Sequence, residues 1–110
     1  MFATGVQIKH PDILSRGIAQ ASHLLHQTSV RIMGSAALDL ANVASGKFDG
    51  FWASRLNLWD IIAGMILVKE AGGVCQNLQG KDFNPLEDET LLASSAAISQ
   101  EFQQNLKNIT

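Results

Sequence analysis

One carboxylate at the mouth of an apolar stretch is the most chemically suggestive feature of this 110-residue chain. In Trp59-Asp60-Ile61-Ile62-Ala63-Gly64, Asp60 falls in the first turn of a predicted helix that runs from Asp60 to Ala71 and stops at Gly72-Gly73. An aspartate there complements the positive end of the helix dipole, worth about 0.3–1 kcal/mol. Held rigidly beside the Trp59 ring, it would also serve as an oxygen ligand for Mg²⁺, which takes one or two protein carboxylates and fills its octahedron with water and substrate phosphate. Position alone leaves both roles open.

A second cluster joins Arg31 to Gly34-Ser35-Ala36 at a predicted strand-to-helix turn, where backbone N–H groups, a hydroxyl and a guanidinium could meet an anion or a polyol. An ordinary N-cap at Ser35 would use the same residues. His23 and His26 sit three apart on a predicted helix, but no carboxylate or third imidazole stands at ligand spacing, so solvated helix histidines are expected. The acidic group Glu87, Asp88 and Glu89 reads as a solvated surface. Cys75, the sole cysteine, excludes an intrachain disulfide and argues against a thiolate zinc site.

The composition narrows the classes further. Apolar residues make up 46% and charged residues 16%, too greasy and too weakly charged for disorder, and the length suits one domain. A net charge of −2 with no run of Lys or Arg argues against nucleic acid as a partner. Neither a secretory signal nor an apolar stretch of bilayer length is read, so a soluble protein with no membrane partner, in a reducing, cytoplasmic setting, is expected. Asn108-Ile109-Thr110 matches a glycosylation triplet and is given no weight.

The elements that must position these residues alternate. Helix is predicted over about Asp12 to Gln27, with Ile13, Leu14, Ile18, Ala21, Leu24 and Leu25 at three- and four-residue steps. A short strand over Ser29–Met33 leads through Gly34 to a helix over Ala36–Ala44, with Ala37, Leu40, Ala41 and Ala44 on one face and Gly46 as the stop. Strands are predicted over Phe48–Ala53, Gly73–Asn77 and Leu91–Ser95, and Ile98, Phe102 and Leu106 mark a closing helix. The pattern predicts an α/β domain of layered helix, sheet and helix. The Asp60 helix is apolar all round and hard to bury in so short a chain, which implies a missing partner surface.

In order along the chain, Gly34-Ser35-Ala36-Ala37-Leu38-Asp39-Leu40-Ala41, then Gly46 with Asp49-Gly50-Phe51-Trp52, then Trp59-Asp60-Ile61-Ile62-Ala63-Gly64 and Glu70-Ala71-Gly72-Gly73, resemble the C-terminal half of the inositol monophosphatase family. Thr4-Gly5 looks like a degraded form of the family's Thr-Gly-Phe-Pro segment, and Ala93-Ser94-Ser95 is similar to its late Ala-Ala-Asn strand. The resemblance implies the C-terminal half of the sugar-phosphatase fold over residues 1–110. It also implies hydrolysis of inositol monophosphate or a similar small polyol phosphate with two or three Mg²⁺ ions, inhibition by Li⁺, and homodimerisation or another self-association. It gives Asp60 the role of a metal carboxylate that also borders the substrate, sets Arg31 near the substrate, and sets Gly34, Ser35 and Ala36 against the sugar ring.

Two departures from the pattern shape the expectation. Ala53 stands where the family carries a Glu that bonds a substrate hydroxyl, a loss of about 1–3 kcal/mol for a buried hydrogen-bonding partner. The family's Asp-Pro-Ile-Asp-Gly-Thr signature and the Glu before it have no counterpart, since none of Asp12, Asp39, Asp49, Asp82 or Asp88 stands in such a pattern. The N-terminal metal-binding half is therefore expected to lie outside this chain, which carries no complete catalytic set and is expected to be inactive by itself. The alternatives are a non-catalytic truncated remnant or interaction module that self-associates, and a metal-free sugar-phosphate binder using Arg31 and the Gly34 turn.

Overall fold

Strand β3 (Gly50–Ser54) is buried at every position, so its alternate side chains must find cover on both faces. Phe51 and Ala53 enter one apolar cluster and Trp52 the other. The same split runs through β5 (Thr90–Ser94), where Leu91 and Ala93 face one way and Leu92 the other. The computed structural model describes residues 1–5, 11–25, 28–32 and 34–108. Around this central pair lie β1 (Phe2–Thr4), β2 (Val30–Arg31) and β4 (Val74–Gln76), giving one mixed five-stranded sheet of order β2-β1-β3-β5-β4. β1 pairs parallel with β2 and β3, and β5 pairs antiparallel with β3 and β4.

Helices cover both faces, giving the expected α/β layering. Leu24 of α1 (Pro11–Leu25) and Phe102 and Leu106 of α4 (Ser99–Lys107) pack with Trp52 and Leu92 on one side. A hydrogen bond of 2.9 Å from Trp52 Nε1 to the buried Gln20 Oε1 ties α1 to β3. On the other side, Leu40 and Val43 of α2 (Ala36–Ala44) and Ile61, Met65 and Val68 of α3 (Leu58–Glu70) pack over Phe51, Leu91 and Ala93. A Cβ on Gly64 would lie 2.6 Å from both Cβ and Cδ1 of Leu40, so the α2–α3 approach depends on the missing methyl. Gly64→Ala would gain about 1 kcal/mol of helix propensity, but overpacking costs about 1–3 kcal/mol. The expected outcome is a net loss of stability, read as a lower Tm in thermal unfolding.

Several boundaries and faces differ from those predicted. Helix α2 spans the predicted residues, yet Ala37 is exposed and the buried positions are Asp39, Leu40 and Val43. Larger side chains fill the gap toward the sheet, and Ala37 turns outward. Phe48 and Asp49 precede β3 because pairing begins at Gly50, opposite Phe2 and Ser94. Helix α3 begins at Leu58, two residues early. Nor is the acidic loop only solvated: Glu89 Oε1 accepts from Arg16 Nη2 at 3.2 Å and Arg55 Nε at 3.1 Å, and Asp88 Oδ2 accepts from the Asn84 N–H at 2.7 Å. His23 is exposed on α1. His26, Met33 and the last two residues of the Asn108 triplet lie outside the described residues. Among the described residues, no helix is long and apolar enough to cross a membrane.

Candidate active site

Strand β2 leads into Gly34, which adopts φ +82°, a left-handed conformation that an L side chain would strain. The turn delivers Ser35 to the start of α2 in extended conformation, where its Oγ accepts the Leu38 N–H at 3.3 Å and its carbonyl accepts the Asp39 N–H at 2.9 Å. The N–H groups of Ala36 and Ala37 are left as the donors of this helix end. On the neighbouring helix, Asn57 caps α3 through an Oδ1 contact of 2.9 Å to the Trp59 N–H. Asp60, in the first turn, donates its N–H to the Asn57 carbonyl at 3.0 Å, and the side-chain cap runs to Trp59 instead. Its carboxylate is exposed, at the mouth of the helix rather than under cover.

These two helix starts border one open cavity of about 300 Å³. Gly34, Ser35 and Ala36 line it from α2, Asn57 and Asp60 from α3, and Gly5 and Phe51 from the sheet, with Asp39 and Arg55 completing the polar lining. Four of the five residues singled out by sequence thus meet. Arg31 lies exposed on β2 and is not among the residues lining this cavity. Ala53 is buried in the sheet-side core and offers no polar atom. Among the described residues, no three His, Cys, Asp or Glu side chains gather as a metal cage. Asp60 is the carboxylate at the mouth of α3 that borders this cavity.

Two charged lining residues were not anticipated. Asp39 is 1% exposed, and its Oδ1 has no hydrogen-bond partner. Burial pushes its carboxyl up from the usual 3.8 to about 6. The signal was available in the sequence: Asp39 falls on the same helical stripe as Ala36, Leu40 and Val43, where a charged residue is out of place. Arg55 carries no such signal. It adopts φ 54°, the sole left-handed residue other than glycine among those described. Its N–H donates to the Glu89 carbonyl at 2.8 Å and its Nε to the Glu89 carboxylate. A left-handed backbone costs about 1–3 kcal/mol, whereas an exposed ion pair returns about 0–1 kcal/mol. The pair alone does not balance the strain.

The mixed α/β layering, with two helix N-termini around one open cavity, is shared with known proteins. The inositol monophosphatase family model matches residues 1–109, and the chain belongs to that family. It is 38% identical over 109 residues to an inositol-1-monophosphatase of Synechocystis sp., covering 96% of this chain and 37% of that protein. Over 55 residues, half of this chain and 22% of the relative, it is 53% identical to a fructose-1,6-bisphosphatase/inositol-1-monophosphatase of Thermotoga maritima. The inositol monophosphatase structure from Anabaena (Nostoc) sp. superimposes with a TM-score of 0.90 at 34% identity, over 99% of this chain and 43% of that one. The chain spans about two fifths of the length of the relatives it matches.

Proposed function

We propose that this chain is the C-terminal, substrate-side part of a Mg²⁺-dependent phosphomonoesterase acting on inositol monophosphate or a similar small polyol phosphate. The observation that carries the reading is the meeting of Asp60 with the Gly34–Ser35–Ala36 turn at one cavity. The relatives, named as phosphatases, support the reaction class. When bound, Mg²⁺ would neutralise phosphate charge and raise the nucleophilicity of water at neutral pH. The chain's own residues bind and orient. Asp60 offers a negative oxygen at a fixed helix start. The Ala36 and Ala37 N–H groups, at the positive end of α2, donate to phosphate or ring oxygens. Ser35 can donate its hydroxyl proton to a substrate oxygen while its Oγ holds the cap. Asp39 supplies the buried acceptor for a ring hydroxyl that Ala53 lacks, and that hydroxyl would satisfy its unpartnered oxygen. We place the activity in the cytoplasm, a reducing setting in which a lone free thiol such as Cys75 persists.

Phosphate release from inositol 1-phosphate with Mg²⁺ tests the reading. The 110-residue chain alone is expected to be inactive, because one carboxylate holds hydrated Mg²⁺ feebly. A chimera in which residues 1–110 replace the matching part of the Synechocystis enzyme is expected to turn over. Activity in the chain alone would overturn the need for the rest of the fold, and an inactive, folded chimera would overturn the phosphatase reading.

One observation favours a second reading, an interaction module that self-associates. Leu38, Ile62, Ile66 and Leu67 are exposed on α2 and α3, and Trp59 is 83% exposed. In the first reading the rest of the family fold packs there; in the second, another copy does. Light scattering separates them: mass rising with concentration, and falling to monomer in Ile66→Glu, is the outcome of self-association. A clean monomer at high concentration removes that reading.

A further inference from the structure

We propose that this cavity prefers phosphorylated polyols that carry an ammonium on the carbon next to the phosphate ester, with the Asp39 carboxylate as the partner of that ammonium. The inference rests on the site reading above and narrows its substrate class. Asp39 lines the cavity, is 1% exposed, and its Oδ1 has no hydrogen-bond partner. Burial pushes its carboxyl up to about 6, and no described cation pulls it back. Arg55, the cationic residue of the same lining, is committed to the Glu89 carboxylate through Nε at 3.1 Å. A negative charge under cover thus stands in the cavity wall without its counter-charge, and buried charges are otherwise paired.

A ring hydroxyl brings Asp39 one donor and no charge, whereas an ammonium brings three donors and a full positive charge. Away from water the attraction between the two charges is screened less. The carboxylate spreads its charge over both oxygens, so an ammonium meeting it from the cavity neutralises the whole group. Asp60 also lines the cavity, but it is exposed and water already screens its charge, so it offers a cation less. Placement along α2 sets the rest of the ligand. Ala36 and Asp39 lie three residues apart, a rise of about 4.5 Å, and helix side chains lean toward the N-terminus. Asp39 therefore leans toward the Ala36 and Ala37 N–H groups that would hold the phosphate. Anion donors and a cation acceptor within one helical turn fit a phosphate and an ammonium on neighbouring carbons.

The test follows the amide NMR signals of Ala36, Ala37 and Asp39 while the 110-residue chain is titrated in Mg²⁺ buffer at about pH 7, where the carboxyl is mostly ionised and a sugar amine mostly protonated. The probes are glucosamine 1-phosphate, glucose 1-phosphate and N-acetylglucosamine 1-phosphate, which carry an ammonium, a hydroxyl and a neutral amide on the same carbon. The ammonium probe is expected to bind about tenfold tighter than the hydroxyl probe, and the amide probe no tighter than the hydroxyl one. In Asp39→Asn, which keeps the shape and removes the charge, that ratio falls to about one while circular dichroism stays unchanged. In Asp60→Asn the ratio survives. Equal affinities for the ammonium and hydroxyl probes, an amide probe that binds as tightly as the ammonium one, or a preference that is lost with Asp60 and kept without Asp39 would overturn the proposal. The site reading stands in those cases, because glucose 1-phosphate still shifts Ala36 and Ala37. If no probe shifts these amides, the site reading fails and the proposal with it.

Discussion

Asp60→Asn is expected to lower Mg²⁺-dependent phosphate release by about 10²-fold or more in the chimera described above, because metal charge stabilisation is worth several kcal/mol and each 1.36 kcal/mol is about tenfold in rate. The amide keeps the shape of the carboxylate and removes only its charge. Folding should survive, since Asn57 provides the α3 cap and Asp60 is exposed. Far-UV circular dichroism and Tm are therefore expected to match the unsubstituted chimera, while the dependence of rate on Mg²⁺ weakens. Unsubstituted rates in the variant would refute the metal role.

Asp39→Asn should raise stability at pH 7.5 by roughly 1–3 kcal/mol, because the neutral amide does not carry the cost of a buried negative charge, about 1.36 kcal/mol for each pKa unit by which burial raises the carboxyl. In a domain of this size each kcal/mol moves Tm by about 4–8 °C. The pH dependence follows from where the proton sits. The folded chain holds the Asp39 proton up to about 6, above the ordinary 3.8, so it binds that proton more tightly than the unfolded chain does. Below about pH 4 both states are protonated and the aspartate carries no charge penalty; between about pH 4 and 6 the wild type loses stability as the pH rises, and above 6 the full penalty applies. The advantage of the variant should therefore shrink toward zero on acidification. A Tm difference that is absent at pH 7.5, or that does not change with pH, would contradict a buried, unpartnered carboxylate. In the chimera the same change should raise KM for inositol 1-phosphate, since an amide accepts a ring hydroxyl less strongly than a carboxylate.

Local rules account for what was legible. Ser35, Gly46 and the Ala/Leu run between them mark α2 at both ends, because capping and helix propensity act within a turn of the chain. Gly72 ends α3 with φ +84° for the same reason. The ordered residues around Asp60 and Gly34 carried the family resemblance as well, and the layered α/β class followed from the alternation of elements. Where an element began was less legible: β3 starts at Gly50 because its partners do, and pairing is a property of two or three strands together.

The site depended on more distant contacts. Asp60 and Gly34 come together because α2 and α3 lie on one face of the sheet and meet where Gly64 admits Leu40, contacts between residues far apart in the chain. Which stripe of α2 turns inward was settled by the volume left over the sheet, which is why Asp39 went under and Ala37 did not. Arg55 is the extreme case, for nothing around an arginine in sequence announces a left-handed backbone; the Glu89 loop, 34 residues away, imposes it. Periodicity and capping act over a turn or two and can be read from residue order, whereas burial, cavity walls and backbone strain arise only when separate segments compete for the same space.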